Sequence, residues 1–158
     1  LLRIVVDKIL DAPLDIPAII IDSDLSEVSI VPSSFFQIND GKPAMLKKIG
    51  NNSAAAIYSN SSGIGVIVDV RRSSEYCLAI SALDQKPEPT QMAVFLNFKK
   101  ILEIELTNGN GQIKGFQSIV GLEEGISLIS IKLLNDYYSP TEGDRNGYIA
   151  SVSIKPCE

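Results

Sequence analysis

Short runs in which apolar and polar residues alternate recur along the whole chain, and no helical periodicity is sustained for ten residues. Alternation with a period of two is typical of strands that bury one face. It is clearest from Ile126 to Leu133 and from Tyr148 to Ile154. The runs predict strands at residues 2–9, 18–21, 28–31, 54–59, 65–70, 75–83, 93–96, 101–106, 115–120, 126–134 and 148–154.

Many short strands at regular spacing, separated by Gly, Pro, Asn and Asp, are typical of two packed antiparallel sheets. The sequence therefore predicts an all-β fold, a jelly-roll-type β-sandwich of two antiparallel sheets. Residues 95–101 predict a tight hairpin, and residues 108–111, which read Asn-Gly-Asn-Gly, predict a second turn. A length of 158 residues is enough for one domain with a substantial core.

Charge and missing residue types narrow the function classes. The formal net charge is −5, so nucleic acid and anionic membrane surfaces, which attract basic faces, are not expected as partners. The chain has no histidine, which excludes Ser-His and Cys-His nucleophile pairs and histidine-ligated metal sites. It also lacks an apolar run of about 18 residues, so membrane insertion is not expected.

Two cysteines, Cys77 and Cys157, leave two alternatives open. They either form one bridge that closes a long loop, or both are free. In the second case Cys77 would be a small core hydrophobe and Cys157 part of a loose tail.

Residues 1–27 are interpreted separately from residues 28–158, which are expected to form the β-sandwich binding domain. The first interpretation is that this segment adds edge strands to the same domain. The second is that it is an arm whose apolar run, Leu2 to Ile9, adds a strand to a neighbouring subunit. The stretch Asp22-Ser23-Asp24 is an exposed acidic turn or a weak cation site.

Most of the candidate chemistry lies in residues 136–146, which carry three carboxylates, two tyrosines and an asparagine between two predicted strands. Asp136 ends one strand and Asp144 lies near the start of the next, so the two carboxylates can converge at the base of the loop. Backbone carbonyls freed near Pro140 and Gly143 add further oxygen ligands. Such hard oxygen donors suit Ca²⁺, which takes six to eight of them, and do not suit zinc or copper.

The stretch Asn135-Asp136 … Gly143-Asp144-Arg145-Asn146 resembles the ND…DRN signature of calcium-dependent xylan-binding modules, the carbohydrate-binding module families 36 and 60. The resemblance extends over about residues 63–155. It includes a strand at 75–82, a Pro-rich loop at 87–89, a hairpin at 92–106 and a strand at 125–135 that leads into the signature.

This resemblance implies an extracellular, non-catalytic binding module in which a calcium ion bridges the protein and the hydroxyl groups of a polysaccharide. Asp136 and Asp144 match the family's carboxylate ligands. The carbonyl of Gly143 takes the place of its backbone ligand.

The resemblance also implies roles for the other residues of the loop. Tyr137 and Tyr138 would pack against a sugar face, and Asn146 would bond a sugar hydroxyl. Arg145 is expected to turn inward and tie the loop together through Asp or Glu carboxylates.

Other interpretations of the same residues stay open. Asp136, Asp144 and Arg145 would form a salt-bridged loop without a metal, or the carboxylates would serve as a glycosidase pair. The two tyrosines would be one buried edge contact and one solvated ring. A different function is that of a structural subunit of an extracellular fibre or surface layer, in which residues 1–27 donate a strand to another copy of the chain and calcium stiffens the sandwich.

Overall fold

The structure is a computed structural model that describes residues 16–24, 26–60, 63–107 and 109–157. No helix in these ranges is long and apolar enough to cross a membrane. The predicted strand at residues 2–9 lies outside the described residues. The described strands are β1 (Ile19–Ile21), β2 (Val28–Ile30), β3 (Phe36–Gln37), β4 (Leu46–Ile49), β5 (Asn52–Ile57), β6 (Gly63–Val70), β7 (Ser74–Asp84), β8 (Thr90–Leu96), β9 (Lys99–Leu106), β10 (Lys114–Leu122), β11 (Gly125–Leu133), β12 (Tyr137–Ser139), β13 (Gly143–Arg145) and β14 (Gly147–Pro156).

Two six-stranded sheets form the sandwich. The first has the order β1-β6-β11-β8-β9 with β3 also on β6, and the second has the order β10-β7-β14-β5-β4 with β2 also on β14. Strands β12 and β13 form a separate two-stranded hairpin. All of these pairs are antiparallel except β1 with β6. The predicted β-sandwich is therefore confirmed.

Alternation along β7 shows why the sequence pattern identifies these strands. Tyr76, Leu78, Ile80 and Ala82 are buried between the sheets, while the residues between them are only half-buried on the outer face. In β6 and β11 the alternation weakens because a second small cluster covers their outer face. That cluster contains Phe36, Ile67 and Leu128, with Ile16 and Ile38 packed against it.

The predicted hairpin at residues 95–101 is present as β8 and β9. Its two turn residues, Asn97 and Phe98, have φ angles of 49° and 69°, the left-handed conformation that two-residue hairpin turns require. The turn predicted at residues 108–111 is described only from residue 109 onward. Residues 109–111 lie between β9 of the first sheet and β10 of the second, with Gly109 and Gly111 at φ of 59° and 71°.

Part of the N-terminal segment pairs within its own domain. Ile19, Ile20 and Ile21 of β1 lie beside Val68, Asp69 and Val70 of β6. The acidic turn at residues 22–24 is paired with Arg72. Its Nε lies 3.7 Å from Oδ1 of Asp22, and a terminal nitrogen lies 2.7 Å from Oδ2 of Asp24.

The two cysteines form a disulfide bridge, which resolves the alternatives left open by the sequence. Cys77 on β7 is bonded to Cys157, 80 residues later in the chain. The bridge joins the C-terminal end of the chain to the second sheet.

Candidate functional site

The hairpin β12–β13 lies where two other loops meet. The backbone N–H of Asp136 donates to Oδ1 of Asn60, in the loop after β5, at 2.6 Å. Asn135 donates from Nδ2 to the carbonyl of Pro89, in the loop between β7 and β8, at 2.9 Å. Each loop leaves a core strand at the same end of the sandwich, so the hairpin is supported by rigid elements.

Arg145 fastens the hairpin to the Pro-rich loop. Its Nε donates to the carbonyl oxygen of Pro87 at 3.0 Å, and its two terminal nitrogens donate to the carbonyls of Asn135 at 3.0 Å and Glu88 at 3.5 Å. Three donors on one rigid plane can satisfy three backbone carbonyls at fixed angles, which a lysine ammonium cannot reproduce.

The expected partners of Arg145 are therefore wrong, although it does turn inward. We predicted carboxylates, and the structure has backbone carbonyls instead. Among the described residues, Arg145 makes no ion pair with Asp136 or Asp144. The alternative of a metal-free loop held by those salt bridges consequently lacks its central contact, and neither carboxylate has an ion-pair partner in the described ranges.

Two asparagines hold the site in place and were given no role by the sequence. Asn135 accepts the backbone N–H of Gln91 at Oδ1 while it donates to Pro89, so it bridges β11 and β8 across the loop. Asn60 fixes the backbone of Asp136 from a position 76 residues earlier. Asn135 was visible as part of the signature, whereas no spacing rule relates Asn60 to Asp136.

The pleat of the hairpin sorts its side chains onto two faces. Tyr137 is the cross-strand partner of Arg145, and Tyr138 is the cross-strand partner of Asp144. Because directly opposed residues of an antiparallel pair project to the same side, Tyr138 and Asp144 share one face and Tyr137 and Arg145 share the other.

Tyr137 is held on its face of the hairpin. Its hydroxyl donates to Oε2 of Glu142 at 2.6 Å, and the guanidinium carbon of Arg145 lies 5.0 Å from the ring centroid. The hydrogen bond to the Glu142 carboxylate raises the pKa of the Tyr137 phenol. The side chains also differ in access to solvent, since Tyr137 is 39% exposed and Tyr138 is 70% exposed.

Asn146 follows β13 and is nearly buried, at 7% exposure. Its Nδ2 lies 3.4 Å from Oδ2 of Asp144 and 3.4 Å from the hydroxyl of Tyr148. Its carbonyl oxygen Oδ1 is buried and has no hydrogen-bond partner among the described residues. A buried amide oxygen without a hydrogen-bond partner costs free energy, so a hydrogen-bond donor or a cation bound at this atom would be stabilising.

Gly143 begins β13 with a φ of 104°, a conformation that other residues rarely adopt. A Cβ at this position would lie 3.8 Å from the carbonyl oxygen of Lys86, so space is available and the backbone angle is the constraint. Glycine thus allows the chain to turn directly before Asp144.

The donor atoms at the hairpin are of the chemical type that calcium prefers. They comprise two exposed carboxylates without ion-pair partners in the described ranges, the backbone at Gly143 and the orphaned Oδ1 of Asn146, all of them oxygen. Within the described residues, no three His, Cys, Asp or Glu side chains form a group that could hold a metal ion.

Asp84 secures the loop between β9 and β10 next to this site. Its Oδ2 accepts the N–H of Gly109 at 3.1 Å, and its carbonyl accepts the N–H of Gly111 at 2.8 Å. Burial is the main cause that raises the pKa of the Asp84 carboxyl, with Glu88 adding to the rise and Lys114 opposing it.

Comparison with known families identifies the chain. The model of the family CBM60, described as a Ca-dependent carbohydrate-binding module that is xylan-binding, matches residues 78–158, just over half of the sequence. The chain belongs to the CBM60 family. The match includes the hairpin, the Pro-rich loop and Cys157, and it begins one residue after Cys77. This module is thus a carbohydrate-binding module of the xylan-binding type.

Solved structures share the fold of this CBM60 module at low sequence identity. A family 35 module from Clostridium thermocellum is 13% identical with a TM-score of 0.63, and covers 84% of this chain and 100% of its own. The CBM36-1 domain of a multidomain xylanase from the hindgut metagenome of Trinervitermes trinervoides is 12% identical with a TM-score of 0.64, and covers 84% and 99%. A CBM36 module in complex with calcium and xylotriose is 11% identical with a TM-score of 0.58, and covers 83% and 100%. No curated protein matches the chain.

Replacing Arg145 by lysine tests how the hairpin is fastened. We expect Arg145→Lys to lose about 1.5–3 kcal/mol of stability, because three hydrogen bonds from a charged planar group to backbone carbonyls are not restored by a single ammonium. Urea unfolding measures this loss, and hydrogen exchange at residues 137–139 should accelerate. Arg71→Lys is the control, since Arg71 makes an exposed ion pair with Asp69 at 3.2 Å and should change stability by less than about 0.5 kcal/mol. Equal losses in the two variants would contradict the assignment.

Proposed function

We propose that this CBM60 module binds xylan-type polysaccharide outside the cell through a calcium ion held by the β12–β13 hairpin. The observation that carries the proposal is the exposed hairpin face on which Asp144 and Tyr138 are direct cross-strand partners. A carboxylate that can hold a cation and a solvent-exposed aromatic ring thereby stand side by side. This pairing matches what a sugar ring offers, namely vicinal hydroxyls and an apolar face.

The pleat supports a place for Asp136 in the same set. Asp136 precedes Tyr137 by one residue, so continuing the strand alternation puts it on the face of Tyr138 and Asp144. The hydrogen bond from its N–H to Asn60 fixes its backbone. We assign Asp136, Asp144 and the carbonyl of Gly143 as ligands of the ion.

Calcium bound there would supply oriented coordination positions that sugar hydroxyls fill in place of water. The protein's own residues set the geometry around it. Arg145 holds the two strands of the hairpin at their base, and Asn146 donates to Asp144. Although the sequence assigned Asn146 to a sugar hydroxyl, its burial favours a role beneath the carboxylate, with Oδ1 as the group left to meet the cation or its water.

The two tyrosines have different roles in this proposal. Tyr138 provides the platform for a sugar ring because it is highly exposed and lies next to Asp144. Tyr137 has one face covered by Arg145 and its hydroxyl engaged by Glu142. It therefore braces the hairpin and contributes at most its outer edge to the ligand.

A non-catalytic, extracellular role agrees with the remaining features. The disulfide between Cys77 and Cys157 is of the kind that persists in oxidising compartments. Membership of a carbohydrate-binding module family supports a non-catalytic role.

Calorimetric titration of Ca²⁺ into metal-stripped protein tests the ligand assignment. Wild-type protein should bind one Ca²⁺, and Asp136→Asn or Asp144→Asn should weaken binding at least about tenfold, because each removes a charged ligand. Glu142→Gln is the matched control, since Glu142 lies in the same loop but is bonded to Tyr137. The affinity of Glu142→Gln for Ca²⁺ should change no more than a few-fold. Binding that neither aspartate variant affects would refute the site.

Affinity for xylohexaose in calcium tests the aromatic platform. Tyr138→Ala should weaken binding about tenfold through lost ring contact, and Tyr138→Phe should restore most of it. Tyr137→Phe keeps the ring and removes only the hydroxyl, so its affinity should stay close to that of wild type. A larger loss in Tyr137→Phe than in Tyr138→Ala would reverse the assignment.

A further inference from the structure

A cavity lies away from the hairpin, on the outer face of the second sheet. It has a volume of about 530 Å³, within the range of about 300–1,000 Å³ typical of ligand sites. Ala79, at its floor, precedes Asp84 at the end of β7 by five residues. At about 3.3 Å per residue, the groove is centred roughly 17 Å along the strand from the hairpin end.

Strand register explains why a groove forms here. Gln117 on β10, Ala79 on β7 and Ser153 on β14 form one row across the sheet, and Ile119, Cys77 and Lys155 form the next row. The middle strand carries Ala79 and Cys77, while Gln117, Ile119 and Lys155 on the strands beside it have longer side chains. The outcome is a trough along β7 with a polar and aliphatic rim.

The rim groups are available to a ligand. Gln117, Lys155 and Glu27 are exposed, and no hydrogen bond or ion pair joins their side chains, or that of Ser153, to another described residue. Ile119 is 67% exposed and offers a flat aliphatic surface at the edge of the trough. The floor is fixed by β-sheet hydrogen bonds and by the disulfide at Cys77, so binding would cost little ordering of the protein.

We propose that this groove is a second polysaccharide site, one that takes an uncharged, extended glycan chain such as the xylan backbone and needs no calcium. It rests on membership of a xylan-binding family but not on the calcium site of the proposed function.

The charges of the groove favour this ligand over others. One glutamate and one lysine leave the lining with no net charge, so it matches a neutral polymer better than an anionic or cationic one. Amide, hydroxyl and ammonium groups can bond sugar hydroxyls, while Ile119 and Ala79 can contact the apolar C–H faces of sugar rings. With a single lysine and a single glutamate, the groove lacks the group of carboxylates that a calcium-dependent mode would need.

Two sites on one module would act together on a polymer. A chain held at the hairpin keeps other segments of the same polysaccharide at high local concentration near the groove. A weak groove would thus raise the avidity for long chains while adding little for short ones.

The groove is tested in the full chain after the proposed calcium site at the hairpin has been inactivated. Asp144→Ala protein in chelator is titrated with xylohexaose while amide shifts are followed by NMR. We expect saturable shifts at Ala79, Gln117 and Ser153, and an affinity about fivefold lower after Ile119→Ala. The matched control is Ile126→Ala on β11, another exposed isoleucine of a strand, at 40% exposure, which should leave the affinity unchanged.

The outcomes separate this proposal from the calcium site. The groove proposal would be overturned if the groove amides did not shift, or if Ile119→Ala and Ile126→Ala had equal effects. In that case, shifts of hairpin amides in wild-type protein with calcium would still support the proposed function. Groove shifts without any calcium-dependent hairpin shifts would support the groove and refute the loop. Groove shifts that depend on protein concentration without sugar would overturn the proposal in favour of contact between copies of the chain.

Discussion

The geometry of the candidate site depends on the three hydrogen bonds of Arg145. A hairpin with two strands of three residues each has too few ladder bonds to be stable alone. The guanidinium joins it to carbonyls of Pro87, Glu88 and Asn135, which belong to loops anchored on core strands. The position of the hairpin depends on that connection, together with the hydrogen bonds of Asn60 and Asn135.

The sandwich supplies rigidity and the hairpin supplies chemistry. Alternating residues bury a continuous core between the two sheets, and the loops at one end converge on Asp136 through Asn60 and Asn135. Neighbouring tyrosines then acquire different environments because the pleat reverses direction at each residue. Tyr137 is bonded and covered, whereas Tyr138 stands open beside Asp144. We propose this open face as the place of sugar contact in the CBM60 module.

The sequence predicts the fold well where strands are long. The alternation in β7 and β14 identifies them directly, because each buries one face over most of its length. Strands β12 and β13 have three residues each, too few for a period to be recognised. The prediction that carboxylates bind Arg145 was wrong for another reason. Its partners are backbone carbonyls, which every residue has, so the sequence contains no pattern that identifies them. The support from Asn60 could not be predicted either, because its contact with Asp136 spans 76 residues of sequence.

The most direct test of calcium bridging is thermodynamic linkage between the ion and the sugar. If sugar hydroxyls coordinate the ion, xylohexaose must raise the affinity for Ca²⁺ by the same factor by which Ca²⁺ raises the affinity for xylohexaose at the hairpin. We predict matching factors of at least about tenfold in calorimetric titrations of wild-type protein, with both factors lost in Asp144→Asn. A calcium affinity that is unchanged by saturating xylohexaose would contradict a bridging ion.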